Sequence, residues 1–527
     1  MKNKLPGIII LFLVATFGGY YLWQFGIYAA STFTADRPSF QADLKNTLDL
    51  QAGIGKPTFT RATTATVTDF EGLIKKVKSG EARFEGARRV ENLFSGSEPV
   101  SGWGPYGAGT FYSYLVDTDG TPFIRITMDS SVAFEGASKT VSGLVVGNTY
   151  RVSFYARSNP ALTMYLTVTT DLGNTGISLT NNFVRRSVTF TAGATSRSIT
   201  IFGISGSAGN YFDVTKLQVE DVTGQANQNP SEYVSTNVKT SAPYHGANVD
   251  GVKYFTTYNG NTVASNVVTE ATGAAIPDAT LHGYVAEGAR TNLALQSEDF
   301  STSHSYTGLK AFGSGSTINV AVAPSGATTA DLITEDSSTG VHRAYLENIA
   351  VANATFYTAS VYVKASTRSR FALLTQEIGN RGRGFDVSNG TTFALTGGEV
   401  GATIYGIQAL PDGWYRVWIT FTTDSTNSSL QVRLVDSGTS SSYTGDDASG
   451  LYVWGAQLEV GAFASSYIPT TSASVIRNAD ILTYPTAGNV DTNIYTAHAQ
   501  AKYNSSFGGH ILSIRNVTTG GILLRID

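Results

Sequence analysis

The chain has 527 residues, of which only 14% are charged, a formal net charge of -4 and no cysteine. That length allows roughly two to four domains, and the missing cysteines exclude disulfides, thiolate nucleophiles and cysteine-type zinc sites. No Lys/Arg cluster is long enough to follow a phosphate backbone, which excludes nucleic acid as a partner, while 55 Gly, 27 Tyr and 27 Phe among dense Ser/Thr favour strands and turns over helices.

After Lys2 and Lys4 no charge occurs until Asp36, and the interval holds the apolar run Gly7–Phe17 followed by Tyr20, Tyr21, Leu22, Trp23 and Phe25. About 20 apolar residues span a bilayer, and lysines before the run with aromatics toward its far end fit a helix entered from the cytoplasm. The spacing therefore predicts an apolar helix over 5–30 within a membrane-anchor or signal segment, 1–35. The rival is a cleaved signal peptide with its apolar centre at Ile8–Phe17 and a small-residue site at Ala29–Ser31. Both readings predict an exported chain.

An internal repeat organises the rest of the chain. EGAR at Glu85–Arg88 returns at Glu287–Arg290; YRVSFYAR (Tyr150–Arg157) returns as YTASVYVK (Tyr357–Lys364); FVRRSVTF (Phe183–Phe190) as WYRVWITF (Trp414–Phe421). LQVE (Leu217–Glu220) pairs with AQLE (Ala456–Glu459), and SEYVST (Ser231–Thr236) with SSYIPT (Ser465–Thr470). The offset widens from about 200 to about 240 residues along the repeat, as a shared scaffold with longer loops in its second copy would require. Each block alternates like a half-buried strand. Tyr150, Val152, Phe154 and Ala156 oppose Arg151, Ser153, Tyr155 and Arg157, and the second copy follows the same rule. The predicted fold is all-β, with two repeated antiparallel β-sandwich modules of jelly-roll type. The predicted map is an entry segment at 36–82, module 1 at 83–240, a second entry segment at 241–286, module 2 at 287–482, and a partial β domain at 483–527.

FTRATTATV (Phe59–Val67), EARFEGAR (Glu81–Arg88), EGARTNLALQSEDF (Glu287–Phe300), LPDGWYRVWITFT (Leu410–Thr422) and LYVWGAQLEVGAFASSYIPTTSASVIRNADIL (Leu451–Leu482) resemble segments of bacteriophage fibre, spike and head-decoration proteins. The resemblance implies carbohydrate-binding-type jelly-roll modules, often followed by a concanavalin-A-like lectin sandwich. Asn489–Asp527 would then be its opening strands, too short to close such a domain.

Candidate chemistry is sparse. The six histidines, at 245, 282, 304, 342, 498 and 510, form no metal-ligand spacing, and no nucleophile elbow, phosphate loop or dinucleotide fingerprint occurs. Glycoside hydrolysis needs only two carboxylates about 5–10 Å apart, but Glu220 and Glu459 occupy equivalent repeat positions and read as structural. Asp446 and Asp447, in YTGDDASG, are the candidate ligands of a structural calcium ion; an Asp-rich turn is the plainer reading.

Sugar rings offer flat C–H faces, so a glycan site presents exposed aromatic rings beside polar groups. Alternation sends Tyr415, Val417, Ile419 and Phe421 inward and leaves Trp414, Arg416 and Trp418 outward; Tyr362 and Lys364 follow the same rule, as do Tyr155, Arg157 and Tyr165 in the first copy. These eight are the candidate glycan-binding residues. The competing expectation is that a preceding segment covers those rings as a second small core. Trp103, Tyr106, Tyr112 and Tyr114 read as strand packing.

Together these features predict a non-enzymatic virion or prophage structural protein that attaches to host-surface glycan, needs no cofactor beyond that calcium, and is located in the virion or exported and membrane-anchored. Predicted partners are a surface polysaccharide, other virion proteins, a second copy in a homo-oligomer, and a membrane through the N-terminal segment. The alternatives are a fragment of an exported polysaccharide-active enzyme with accessory modules, and a purely architectural spacer.

Overall fold

The computed structural model describes residues 20–29 and most of 40–503; the larger stretches left undescribed within that range are 237–246, 259–273 and 490–494, and residues 1–19, 30–39 and 504–527 fall outside it. The described residues form strands and loops, with one 3₁₀ turn at Pro411–Gly413. They fall into two compact units. One takes in Asn46–Leu48 and Ala87–Leu281; the other takes in the segments before Asn46, Asp49–Gly86 and the chain from His282 onward.

The first unit contains a sandwich of two five-stranded antiparallel sheets. Sheet I runs Phe111–Val116, Pro122–Thr127, Tyr211–Asp221, Thr149–Asn159, Val184–Thr191. Sheet II runs Leu172–Ser178, Thr163–Val168, Ser196–Ile204, Phe134–Ser142, Gly104–Tyr106. The alternating apolar residues of both sheets meet between them: Val152, Phe154, Phe212 and Val214 of sheet I face Leu166, Ile199 and Ile201 of sheet II. Each such side chain, fully withdrawn from water, stabilises the fold by about 1.5–3 kcal/mol relative to exposure.

The other unit repeats the plan with additions. Sheet III runs Ala321–Val322, Thr328–Thr334, Gly450–Val460, Phe356–Ala365, Trp414–Thr422, Ile404–Ala409. Sheet IV runs Ser305–Thr307, Arg343–Ala350, Asn427–Leu434, Arg370–Gln376, Asn380–Asp386, Thr391–Phe393, and Val400–Gly401 joins it parallel to Asn380–Asp386. Between them lie Tyr357, Ala359, Val361, Val417, Ile419, Leu430, Val432 and Leu458.

The repeat is preserved down to a β-bulge. Pairing shifts between Ser153 and Tyr155 in sheet I and between Ser360 and Tyr362 in sheet III, opposite Lys216 (φ 50) and Gly455 (φ 66) respectively. The repeated polar residues also recur in one hydrogen-bond pattern. Asn92 Nδ2 donates to the carbonyls of Leu217 and Val234, and Asn292 Nδ2 to those of Ala456 and Ile468. The Val234 amide donates to Gln218 Oε1 at 2.8 Å and the Ile468 amide to Gln457 Oε1 at 2.7 Å. This clasp pins the SEYVST and SSYIPT segments to their sheets without leaving buried backbone groups unpaired.

One expectation changes here. Tyr20–Ala29 is a β-strand, not the middle of the apolar helix expected over 5–30. One of its edges pairs first with Gly283–Ala286 and then with Phe40–Ala42, and the other pairs along its length with Tyr495–Tyr503. An aromatic-rich run has high strand propensity, and partners on both edges satisfy its backbone without a helix. The part of that expectation over 5–19 lies outside the described residues, among which no helix is long and apolar enough to cross a membrane. Within the segment expected to open a lectin-type domain, Tyr495–Tyr503 pairs into this same sheet; residues 504–527 lie outside the described chain.

Much of the entry segment is built into the unit that holds sheets III and IV. Thr58–Thr60 pairs with Ile481–Thr483, and the Ile74 amide donates to the Pro324 carbonyl. Arg83, fully buried, donates to Glu287 at 2.9 Å and also pairs with Asp480, which accepts from Arg61 at 2.8 Å. Burial alone would raise the Glu287 carboxyl, but Arg477 and Arg83 hold it well below the usual range.

Candidate functional site

The eight outward residues do not form one surface. Trp414 is 2% exposed and its Nε1 donates to the Val322 carbonyl at 3.0 Å. Tyr362 is 3% exposed, edge-on to Trp454 and Tyr467. These rings join Ile74, Ala323 and Ala330 in a second small core on the outer side of sheet III. Alternation gave their direction correctly, but the entry segment and the Ala323 turn cover them, so the expected exposure of Trp414 and Tyr362 is corrected. Lys364, partly buried, lies opposite Trp414. Arg416 donates to Ser360 Oγ at 3.2 Å with its guanidinium 5.3 Å from the Tyr362 ring, and Trp418 is partly exposed beside it.

In the first sandwich Tyr155 and Arg157 lie on the outer face of sheet I. Arg157 Nε donates to Asp213 at 2.8 Å and its guanidinium stands 4.3 Å from the Phe183 ring; Tyr155 lies 5.8 Å from both Arg185 and Lys216. Tyr165 belongs to sheet II and faces away on the opposite side of the sandwich, so it shares no surface with them.

Asp446 accepts from the Ala448 and Ser449 amides and the Ser449 hydroxyl, which hold its carboxyl well below the usual range. Asp447 has φ 63 and pairs with Lys310 at 3.2 Å. These are the bonds of an Asp turn; among the described residues no group of three or more His, Asp or Glu is placed to hold a metal ion. Glu220 and Glu459 each accept from a serine amide at 2.8 Å, Ser231 and Ser465, closing the repeated clasp. Burial pushes the Glu220 carboxyl up, against Arg185 and the Ser231 amide.

An open aromatic surface lies around Tyr165, on the outer face of sheet II. The register places Gly176, Tyr165, Phe202, Gly136 and Tyr106 in one row across five strands. Tyr165 stacks on Phe202 with ring centroids 5.6 Å apart and planes 22° from parallel; Tyr106 and Phe134 close on Phe202 at 5.3 and 5.5 Å. Phe202 is completely buried beneath them, while Tyr106 is 36% and Phe134 41% exposed. The two glycines make room. A Cβ on Gly136 would stand 2.5 Å from Phe202 Cβ, and one on Gly176 would touch the Tyr165 ring at 3.4 Å. Beside the row runs a ladder of hydroxyl pairs: Ser138 with Thr200 at 3.0 Å, then Thr140 with Ser198 and Ser142 with Ser196, both at 3.3 Å.

Sequence reading found Tyr165, took Tyr106 for strand packing, and missed Phe134 and Phe202. The available signal was Phe202 itself, an aromatic on the outward beat of a strand whose inward beat is Ile199 and Ile201.

No family model matches the sequence, and no curated protein does. Among solved structures, the chain is similar to TmCBM61 in complex with β-1,4-galactotriose, at 15% identity over 25% of this chain and 98% of that one, with a TM-score of 0.21. The tandem CBM22-1–CBM22-2 domain of Paenibacillus barcinonensis Xyn10C matches at 11% identity over 71% of this chain and 98% of its own, with a TM-score of 0.23. The enzymatically active domain of bacteriophage CBA120 tailspike protein 4 matches at 14% identity over 24% and 21%, with a TM-score of 0.20.

Proposed function

We propose that this protein binds a polysaccharide without turning it over, through the outer face of sheet II, as a fibre- or spike-type component that carries its sandwiches to a host surface. The observation that carries this reading is the row in which Tyr165 and Tyr106, open to solvent in part, lie over the buried Phe202. Rigid rings fixed on a buried phenylalanine give the apolar face of a pyranose a flat partner at little cost in conformational entropy. The adjoining hydroxyls supply donors and acceptors for the sugar's own hydroxyls. A non-catalytic role is supported by the two repeat-equivalent carboxylates, Glu220 and Glu459, whose lone pairs are engaged by the clasp. The virion setting rests on the resemblance of the EGAR, GWYRVWITF and WGAQLE segments to phage fibre and spike proteins.

Two measurements test it. A glycan array probed with the full chain and with Tyr165→Ala should give signals that the substitution removes, and incubation with the bound glycan should release no new reducing ends. Unchanged array signals in Tyr165→Ala, or steady release of reducing ends, would overturn the reading. Detection of the chain in purified particles by mass spectrometry tests the virion setting separately.

A further inference from the structure

The second sandwich carries, on its other sheet, a feature the first copy lacks. Arg416 and Arg185 are repeat equivalents, and each donates to the equivalent serine, Ser360 and Ser153. In the first copy the arginine is 1% exposed, position 187 is serine, and among the described residues sheet I ends at that strand. In the second copy an extra edge strand, Ile404–Ala409, is added, position 418 is tryptophan and Arg416 is partly exposed. Gly406 lies opposite Trp418, and a Cβ there would sit 2.0 Å from the indole, so the ring packs against the glycine where no other residue would leave room. Gln408, exposed, stands opposite Arg416. Among the described residues Arg416 makes no ion pair, and its Nε has no hydrogen-bond partner.

We infer that Trp418, Arg416 and Gln408 form a second binding site, one that takes an acidic sugar unit. The indole stacks on the pyranose face, the guanidinium pairs with the sugar's anionic group, and the Gln408 amide bonds a ring hydroxyl. Charge decides the class of sugar. A half-buried guanidinium held beside an aromatic ring without a counter-ion is complementary to a carboxylate or sulfate, whereas the sheet II row presents only rings and hydroxyls. The structural contribution of this arginine is the serine bond common to both copies; the tryptophan, the glycine bed and the exposure are what the second copy adds.

The test follows binding to the full chain by isothermal titration calorimetry in a Tyr165→Ala background, in which the sheet II row is weakened equally in every arm. The probes are a galacturonate oligosaccharide, a sulfated galactose oligosaccharide of equal length, and the neutral galactose oligosaccharide. Binding of either acidic probe, with the neutral one weaker by roughly tenfold or more, is the expected result, and the two acidic arms tell carboxylate from sulfate. Arg416→Gln, which keeps a donor for Ser360, should abolish that preference; Trp418→Ala should remove binding and Trp418→Tyr retain it. Equal binding of the neutral probe, no binding of either acidic probe, or acidic binding unchanged by Arg416→Gln overturns the inference. Because the sheet II row is weakened equally in every arm and is tested separately by Tyr165→Ala itself, such a failure leaves the reading of that row standing.

Discussion

Tyr165 lies stacked on Phe202, its ring 22° from parallel and 5.6 Å away, with one residue partly open to solvent and the other wholly buried. The buried ring fixes the plane of the exposed one, so their substitutions should separate binding from folding. Tyr165→Ala is expected to weaken polysaccharide binding by on the order of 1–2 kcal/mol, or ~5- to 30-fold in Kd, with a small change in Tm. Phe202→Ala should cost about 3–5 kcal/mol of stability as well. Affinity titrations beside thermal melts check both; a Tyr165→Ala melt as low as that of Phe202→Ala would mean the ring is packing and not platform.

Trp414 gives the opposite expectation. It is buried under the entry segment with its Nε1 bonded to Val322, so Trp414→Ala should destabilise by about 3–5 kcal/mol. Glycan binding through sheet II should be unaffected under conditions where the variant is folded. Denaturant titration against wild type measures the first quantity.

The repeated clasp predicts matched effects in the two copies. Asn92→Ala and Asn292→Ala each strip partners from two buried carbonyls and two buried amides. An orphaned buried polar group costs about 1–3 kcal/mol, so each variant should lose on the order of 3 kcal/mol or more from its own sandwich. Calorimetry of the two variants should show different transitions lowered; a single shared shift would contradict the assignment of one clasp to each copy.

His304 supplies a pH dependence. Buried against Phe300, its imidazole is pulled down from 6.5 to about 4 by burial, with Asp299 acting the other way. Between those values the unfolded chain binds a proton that the folded chain does not, so stability rises with pH across the window. The contribution is complete above about 6.5 and lost progressively as pH falls toward 4, a change of about 3 kcal/mol. His304→Phe should flatten the dependence of Tm on pH between 4 and 6.5. Equal slopes in wild type and variant would show that other groups govern it.

The sequence by itself determined the all-β class, the repeat and the inward beat of each strand, because strand geometry alternates faces residue by residue and needs no distant information. Tyr150, Val152 and Phe154, and likewise Val417, Ile419 and Phe421, lie where that rule puts them. The outward beat was read with equal accuracy, but outward is not exposed. Whether Trp414 meets solvent or Ile74 depends on a segment more than 300 residues earlier in the chain folding across its sheet. Only tertiary structure decided that. It also decided that Tyr165 sits on the sheet opposite Tyr155 and Arg157, and that Tyr165, Tyr106 and Phe134 converge on Phe202, since strand order within a sheet is fixed by non-local pairing that leaves no periodic trace in the sequence. The apolar N-terminal run was misread over Tyr20–Ala29 for the same reason: length and hydropathy count residues, whereas the strand partners that claim this stretch come from positions 40–42, 283–286 and 495–503.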